Sequence, residues 1–242
     1  MNYVSVYEQL TELKLTGFRD ALAQPGAYQE LGFEERLSLL ASEELTCREN
    51  RKAERLVKQA RFRLSAGLSK LDYRSSRGLD KALIRSLGQG NWLKLKQNLL
   101  LTGATGSGKT NLACALGHNA CRQGYKVYYY RLKALMDLCY QGHANGRYSK
   151  LLMKLNHSDL LLLDNWGLEP LSSEQRSDLL EIVVLMYQRG SVIVVSQLPV
   201  ESWYKTTHAD AILDRLVHGS IKIELKGESM RKMQTLLTEG DQ

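Results

Sequence analysis

Residues 103–110 read Gly-Ala-Thr-Gly-Ser-Gly-Lys-Thr, and no other segment constrains the fold of this 242-residue chain as strongly. An apolar run, Leu99–Leu101, precedes this octet, and a segment with apolar residues at helical spacing follows it. Its three glycines allow the backbone to turn so that successive N–H groups face one point. A strand, a glycine-rich turn and a helix in this order predict a parallel α/β unit with an anion site at the turn.

The octet matches every fixed position of the phosphate-binding loop G-x-x-x-x-G-K-[ST]. Lys109 can reach the β- and γ-phosphates of a nucleotide, and the Thr110 hydroxyl can bind Mg²⁺. The sequence therefore predicts ATP and Mg²⁺ as cofactors. The residues expected to contact the nucleotide are Gly103, Ala104, Thr105, Gly106, Ser107, Gly108, Lys109, Thr110 and Asn111.

A second apolar run, Leu160–Leu163, ends at Asp164. In phosphate-loop proteins such an aspartate holds Mg²⁺, although taken alone an Asp at the end of a strand is also an ordinary loop residue. ATPases of this type usually place Glu or Asp next, to orient and deprotonate the attacking water. Here Asn165 follows, and an amide can hydrogen-bond water but cannot accept its proton. We therefore expect the chain to bind ATP well and to hydrolyse it poorly.

Strand and helix patterns alternate from residue 97 onward, which predicts a five-stranded parallel sheet covered on both faces. The strand candidates are Asn98–Thr102, Val127–Tyr130, Leu160–Asp164, Val192–Ser196 and Ile221–Leu225, and the helical segments lie near 109–122, 132–157, 174–188 and 209–217. Residues 1–66 contain no convincing strand. We expect a small all-helical domain over 1–66, a connecting segment over 67–96 and an α/β ATPase core over 97–242.

The composition, 43% hydrophobic and 24% charged, is typical of a soluble globular protein. Lys and Arg number 33 against 26 acidic residues, and this net charge of +7 favours a polyanionic partner. The four cysteines form no C-x-x-C pair and are expected to be reduced thiols. No signal-peptide pattern or membrane-length apolar run is evident, so we expect a cytoplasmic protein without a membrane partner.

The segment Arg48–Arg63 is strongly basic and is expected to form one long helix with a cationic face. Its cations, which could neutralise DNA phosphates, are Arg48, Arg51, Lys52, Arg55, Lys58, Arg61 and Arg63. The alternative is a solvated helix that packs on a neighbouring subunit or another protein. A second candidate DNA surface, beside three tyrosines that also fit a strand core, comprises Arg131, Lys133, Arg147 and Lys150.

Several motifs together resemble one family over nearly the whole chain. They are Leu99–Ala120, Asp164–Leu168, Ser196–Val200, Ala211–His218 and Glu224–Arg231. These segments resemble the IstB family of AAA+ ATPases, which assist the transposase of a bacterial insertion sequence and are related to the DnaC helicase loaders. The family usually has an acid where this chain has Asn165.

The resemblance implies roles that the residues alone would not assign. Gln197 occupies the sensor-1 position near the γ-phosphate, and Arg215 matches the arginine finger that a neighbouring subunit inserts there. Arg231 is a candidate sensor-2-like residue or nucleic-acid contact. Since the sequence ends at residue 242, no helical lid is expected, which argues against a sensor-2 role.

The function that the resemblance implies is an ATP-dependent, DNA-binding regulator of transposition. It would form a homo-oligomer on duplex DNA with little sequence preference, hold ATP at its subunit interfaces, and recruit and stimulate the transposase. A DnaC-like helicase loader is the first alternative. The second is a small-molecule kinase, which would need an acceptor pocket and an arginine-rich lid.

Overall fold

The structure, a computed structural model, describes residues 5–24, 26, 31–73, 78–207 and 210–226. It divides into two compact units, Met1–Arg55 and Leu56–Gln242, with the boundary inside helix α3. The helices are α1 (Val6–Glu12), α2 (Thr16–Leu22), α3 (Phe33–Ala60), α4 (Lys81–Gly88), α5 (Asn91–Lys94), α6 (Lys109–Arg122), α7 (Leu132–Ala144), α8 (Tyr148–Asn156), α9 (Ser173–Met186), α10 (Val200–Thr207) and α11 (Asp210–Val217). The strands are β1 (Leu99–Gly103), β2 (Val127–Arg131), β3 (Leu160–Trp166), β4 (Ser191–Ser196) and β5 (Ile221–Leu225).

The five strands form one parallel sheet in the order β2-β3-β4-β1-β5. Strands β1, β3 and β4 are continuous apolar runs because both of their faces are buried. One core cluster joins one face of the sheet to α6, and a second joins the other face to α7, α9 and α11. The predicted five-stranded parallel α/β fold is therefore confirmed.

In the N-terminal unit, a side chain of α3 caps the start of α2. The Leu15 side chain cannot cap α2, and the Glu44 carboxylate instead accepts hydrogen bonds from the N–H groups of Gly17 and Phe18 at 2.7 and 3.1 Å. Gly17 permits the close approach, since a Cβ there would lie 2.5 Å from that of Cys47. A buried charge and a glycine contact thus join these two helices.

The sequence-based helix over 132–157 is in fact two helices, α7 and α8. Gly146, at φ +69°, lies in the short turn between them. The backbone of Tyr148 packs against Gly142, where a Cβ would lie 3.0 Å from the Tyr148 Cα. The turn thus folds α8 back onto the last residues of α7.

The basic segment Arg48–Arg63 is also not one helix to its end, because α3 stops at Ala60. Arg61 adopts a left-handed conformation with φ +55°, which ends the helix. Phe62 then packs over Gly117 of α6, and a Cβ on that glycine would lie 2.5 Å from its ring. Arg61 and Arg63 therefore lie beyond the helix that carries the other five cations.

All four cysteines are free thiols. Burial raises the pKa of Cys114 to about 11 and the pKa values of Cys121 and Cys139 to about 12, so these thiols stay protonated at neutral pH. Within the described ranges, no helix has the length and apolar content to cross a membrane.

Candidate functional site

The phosphate-binding loop lies between the carboxyl end of β1 and the first turn of α6. Gly103 has φ +139°, and a Cβ there would lie 2.1 Å from the carbonyl oxygen of Leu225, so only glycine fits. Gly106 and Gly108 also have positive φ, at +82° and +90°. The 14-residue helix that begins at Lys109 directs its positive N-terminal end at the loop. This geometry suits a polyphosphate.

The Lys109 side chain folds back into this loop. Its ammonium donates to the carbonyl oxygens of Gly103 and Ala104, both at 2.7 Å, and to the Ser107 hydroxyl at 3.3 Å. Burial lowers the pKa of Lys109, and the nearby Asp164 carboxylate opposes that shift. The amine is therefore held at the mouth of the loop, where the motif places a phosphate.

Asp164 is almost fully buried, with 1% of its surface exposed, at the point where β3 reaches the loop. Its carboxylate accepts from the Thr110 hydroxyl, whose oxygen lies 3.1 and 3.3 Å from the two carboxylate oxygens. It also accepts from the Tyr129 hydroxyl at 2.7 Å and from the Asn165 N–H at 2.9 Å. The two predicted metal ligands, Thr110 and Asp164, thus lie together.

Tyr129 is the residue of this site that the sequence reasoning missed. Burial and the hydrogen bond to Asp164 raise its pKa well above the usual tyrosine range, so the phenol remains a donor. It lies opposite Leu162 in the β2–β3 register, two residues before the aspartate on the same face. The signal was therefore the pairing of two strands, which a single sequence does not give.

Asn165 adopts a left-handed conformation with φ +64° at an irregularity in β3 between Leu163 and Trp166. Asn and Asp enter this conformation more easily than other residues with a side chain. It is half-buried and lines a cavity of about 260 Å³ together with Arg131 and Lys133. The position next to the metal aspartate thus has a backbone requirement as well as a chemical one.

Gln197 lies beside the phosphate-binding loop, at the carboxyl end of β4. Its side-chain oxygen accepts a 2.6 Å hydrogen bond from the Thr105 hydroxyl. The preceding Ser196 is buried and donates to the carbonyl oxygen of Trp166 at 2.9 Å, which anchors the end of the strand. The structure therefore brings Gln197 into the candidate nucleotide site.

Arg215 lies at the other end of the sheet. Its carbonyl oxygen accepts from the side chain of Asn98, which precedes β1, whereas the phosphate-binding loop follows β1. Its guanidinium donates to the carbonyl of Ala211 at 2.7 Å and lies 6.0 Å from the ring centre of Tyr187. The five residues of β1 span about 15 Å, so Arg215 does not reach its own loop.

The seven cations of the Arg48–Arg63 segment are all exposed. Arg48 pairs with Glu44 at 2.7 Å. The helical residues among them that share one face are Arg48, Arg51, Lys52, Arg55 and Lys58. The predicted cationic face is present on α3, and DNA contact by these residues stays a prediction.

The second candidate DNA surface consists of the starts of α7 and α8. Arg131, Arg147 and Lys150 are exposed there. The Lys133 ammonium is paired with the Glu169 carboxylate at 3.0 Å, a hydrogen bond that raises the pKa of Lys133. This pairing leaves Lys133 less available to a phosphate than its neighbours. Arg231, the remaining predicted contact, lies outside the described residues, as does any lid after residue 226.

Over the described part of the chain, no group of three or more His, Cys, Asp or Glu side chains could hold a metal ion. A hydroxyl and one carboxylate suit Mg²⁺, which usually takes one or two protein ligands and completes its shell with water and substrate phosphates. The sheet order, the phosphate-binding loop and the buried Asp164 together define a P-loop AAA+ fold, and the family match makes the chain an ATP-binding protein of the ATPase class.

The chain belongs to the family described as IstB-like ATP binding protein, whose model matches residues 8–238. It is 43% identical to the insertion-sequence ATP-binding protein y4pL of Sinorhizobium fredii over 94% of this chain and 96% of that protein. It is 45% identical to the ATP-binding protein of insertion sequence IS1162 from Pseudomonas fluorescens, over 79% of this chain and 84% of that one.

Solved structures share the fold at lower sequence identity. The DnaC helicase loader is 21% identical, with a TM-score of 0.59 over 66% of this chain and 97% of that chain. AMPPCP-bound DnaA from Aquifex aeolicus is 20% identical, with a TM-score of 0.62 over 74% of this chain and 56% of that chain. These likenesses establish the AAA+ architecture.

Proposed function

We propose that this protein is an ATP- and Mg²⁺-dependent DNA-binding regulator that oligomerises on duplex DNA and recruits and stimulates a transposase. Membership of the family and the insertion-sequence names of its relatives support a role in transposition. The observation that carries the assembly is the position of Arg215, at the end of the sheet opposite Lys109. The proposed cellular location is the bacterial cytoplasm.

An arginine side chain that cannot reach the nucleotide of its own subunit can contact the nucleotide bound by a neighbouring subunit. More than one cation is needed to stabilise the negative charge at the γ-phosphate in the transition state. Lys109 is the cation that the phosphate-binding loop of the same subunit supplies. Head-to-tail stacking would bring Arg215 of one subunit to the loop of the next. Such heterologous contacts close into rings or continue as filaments. Bound ATP would then contact both subunits and hold them together.

Mg²⁺ fits the oxygen atoms that the site brings together. The Thr110 hydroxyl and the Asp164 carboxylate would hold it, and Tyr129 and the Asn165 N–H keep that carboxylate in place. When bound, the ion neutralises charge on the β- and γ-phosphates. The loop N–H groups and the amine of Lys109 supply the remaining positive potential.

Slow hydrolysis agrees with the proposed role of bound ATP, which is to hold neighbouring subunits together. Asn165 can orient water but cannot take its proton, and Gln197 would contribute hydrogen bonding near the γ-phosphate. The rate of ATP hydrolysis would then limit how fast the oligomer disassembles. This supports a regulator that marks a target site for some time over one that turns over ATP continuously.

The DNA would lie against the exposed cations of α3, with those at the starts of α7 and α8 as the second surface. Binding through phosphates needs no base contacts, which agrees with little sequence preference. In the same proposal, residues 1–66 form the DNA- and partner-binding domain, 67–96 connect, and 97–242 form the ATPase core.

The test is complementation between two inactive variants. Lys109→Ala removes the loop cation and Arg215→Ala removes the finger, so each homogeneous preparation lacks complete sites. In a mixture, the intact loop of the Arg215→Ala protein can meet the intact arginine of the Lys109→Ala protein. We expect the mixture to hydrolyse ATP and to form head-to-tail pairs, whereas neither variant alone should do so, because each mixed pair has one complete site. The unaltered protein with ATP should form rings or filaments on duplex DNA in electron micrographs.

Arg122→Ala is the matched control, since Arg122 is an exposed arginine at the far end of α6 and should leave assembly unchanged. ATP-independent monomers of the unaltered protein, or a mixture as inactive as its components, would contradict the assembly. Capture of a replicative helicase in preference to a transposase by the ATP-bound protein would instead favour the helicase-loader alternative.

A further inference from the structure

The three consecutive tyrosines of β2 point to different surroundings. Tyr129 packs in the core cluster with α6, with 8% of its surface exposed. Tyr128 and Tyr130 pack against the opposite cluster, and the Tyr130 hydroxyl accepts a 2.8 Å hydrogen bond from Lys154. Of the three, Tyr129 directs its hydroxyl at the candidate metal site.

Asp164 has to keep one orientation if the site is to bind a cation. The Asp164 carboxylate accepts hydrogen bonds from the Thr110 hydroxyl, the Asn165 backbone N–H and the Tyr129 hydroxyl. The bond from Tyr129 is the shortest, at 2.7 Å. Because the oxygen of Thr110 is itself a metal ligand, it cannot fix the carboxylate independently of the ion. The backbone N–H reaches one carboxylate oxygen, Oδ1, and Tyr129 reaches the other, Oδ2.

We propose that Tyr129 is a positioning residue that fixes the Asp164 carboxylate for the metal and so sets the Mg²⁺ dependence of nucleotide binding. This inference rests on the Thr110–Asp164 metal site of the proposed function. A hydrogen-bond donor behind a metal ligand orients it, and its removal typically lowers metal affinity by about 10- to 100-fold. Nucleotide contacts that do not involve the metal should be unaffected, because Tyr129 lies behind Asp164.

The strand supplies a matched control for this hydroxyl. Tyr130→Phe removes the same atom one residue along, on the opposite face of the sheet, where its partner is Lys154. Tyr129→Phe keeps the ring in the core and removes only the bond to Asp164. A difference between these two variants therefore reports the position of the hydroxyl and not its loss in general.

The experiment measures binding of a fluorescent ATP analogue to the full chain, in excess EDTA and over a series of free Mg²⁺ concentrations. For Tyr129→Phe we expect the Mg²⁺ midpoint to rise about tenfold or more, with binding in EDTA unchanged. Tyr130→Phe should match the unaltered protein in both. A Tyr129→Phe protein that binds in EDTA and has an unchanged Mg²⁺ midpoint would overturn the inference.

Should Tyr129→Phe fail to fold, site-specific incorporation of 4-aminophenylalanine and of 4-methylphenylalanine at position 129 replaces it. The first keeps an N–H donor where the hydroxyl stood, and the second has similar size without one. We expect the amino variant to restore the midpoint and the methyl variant to raise it; equal midpoints would overturn the inference. If the unaltered protein shows no Mg²⁺ effect, the proposed metal site itself fails.

Discussion

The Thr105 hydroxyl donates a 2.6 Å hydrogen bond to the side-chain oxygen of Gln197, and this bond joins the phosphate-binding loop to the end of β4. We predict that Gln197→Ala slows ATP hydrolysis by on the order of a hundredfold, as loss of one transition-state hydrogen-bonding group commonly does. ATP affinity should change little, since the loop N–H groups and Lys109 remain. Single-turnover hydrolysis and equilibrium nucleotide binding measure the two effects separately.

Gln141→Ala provides the comparison, because Gln141 is an exposed glutamine of α7 away from the loop. It should hydrolyse ATP at the unaltered rate. A Gln197→Ala protein with normal hydrolysis and weakened ATP binding would assign Gln197 to the loop's ground-state structure and contradict the sensor role.

Asn165→Asp should accelerate hydrolysis. The carboxylate can take a proton that the amide cannot, and general-base catalysis commonly contributes about 10²–10⁴-fold. Aspartate also tolerates the left-handed backbone at this position, where φ is +64°, so the variant should keep its fold. The rate of phosphate release with saturating ATP and DNA measures the change.

The Asn165→Gly variant distinguishes the chemical effect of the side chain from the effect of the left-handed backbone conformation at this position. Glycine accepts the same φ without strain but brings no base, so its rate should stay at or below that of the unaltered protein. Equal rates for the Asp variant and the unaltered protein would contradict the view that the amide limits hydrolysis.

The sheet and the loop could be predicted because their signals are local. Leu99–Leu101 and Leu160–Leu163 are short apolar runs that suit buried parallel strands, and the loop glycines are required by backbone angles that few other residues adopt. Arg215 lies at the far end of the sheet because α11 leads directly into the amino end of β5, and the hydrogen bond from the Asn98 side chain to its carbonyl oxygen is a tertiary contact that no local pattern signals.

The two wrong helix boundaries have different physical origins. The break between α7 and α8 lies at Asn145-Gly146, a local turn signal that the helical period masked. The end of α3 at Arg61 coincides with the packing of Phe62 on Gly117. Tertiary contacts of this kind override helical periodicity. The partner of the Tyr129 hydroxyl is set by the register between β2 and β3, which no local sequence pattern encodes.

DNA binding through α3 should depend steeply on salt. Each phosphate contact contributes roughly one unit to the slope of log affinity against log salt, so the Lys52→Ala/Arg55→Ala double variant should lower its magnitude by about two. Anisotropy of a labelled duplex with ATP, measured over a salt series, gives the slope. Arg36→Ala is the control, since Arg36 is exposed on α3 outside the basic cluster. A double variant with the same slope as Arg36→Ala would contradict DNA contact here.

The N-terminal unit should lose stability in acid through Glu44. Burial alone would raise the pKa of its carboxyl, but hydrogen bonds from Arg48, Phe18 and Gly17 outweigh burial and hold the pKa below its ordinary value of 4.5. A lowered pKa means that ionised Glu44 stabilises the fold above pH 4.5, and that this contribution disappears as the pH falls through the folded-state pKa.

Glu44→Gln should therefore destabilise the unit at neutral pH by about 1.5–3 kcal/mol, because its amide oxygen can still accept from Gly17 and Phe18 but carries no charge, and its NH₂ group cannot accept from Arg48. It should also remove part of the acid dependence, because the amide does not titrate. Protection of the Gly17 and Phe18 amides against hydrogen exchange, compared as protection factors at several pH values, measures both effects. Glu43→Gln removes an exposed charge beside it and should behave as the unaltered protein. Equal protection in the Glu44→Gln and Glu43→Gln proteins at every pH would show that the charge of Glu44 does not stabilise the start of α2.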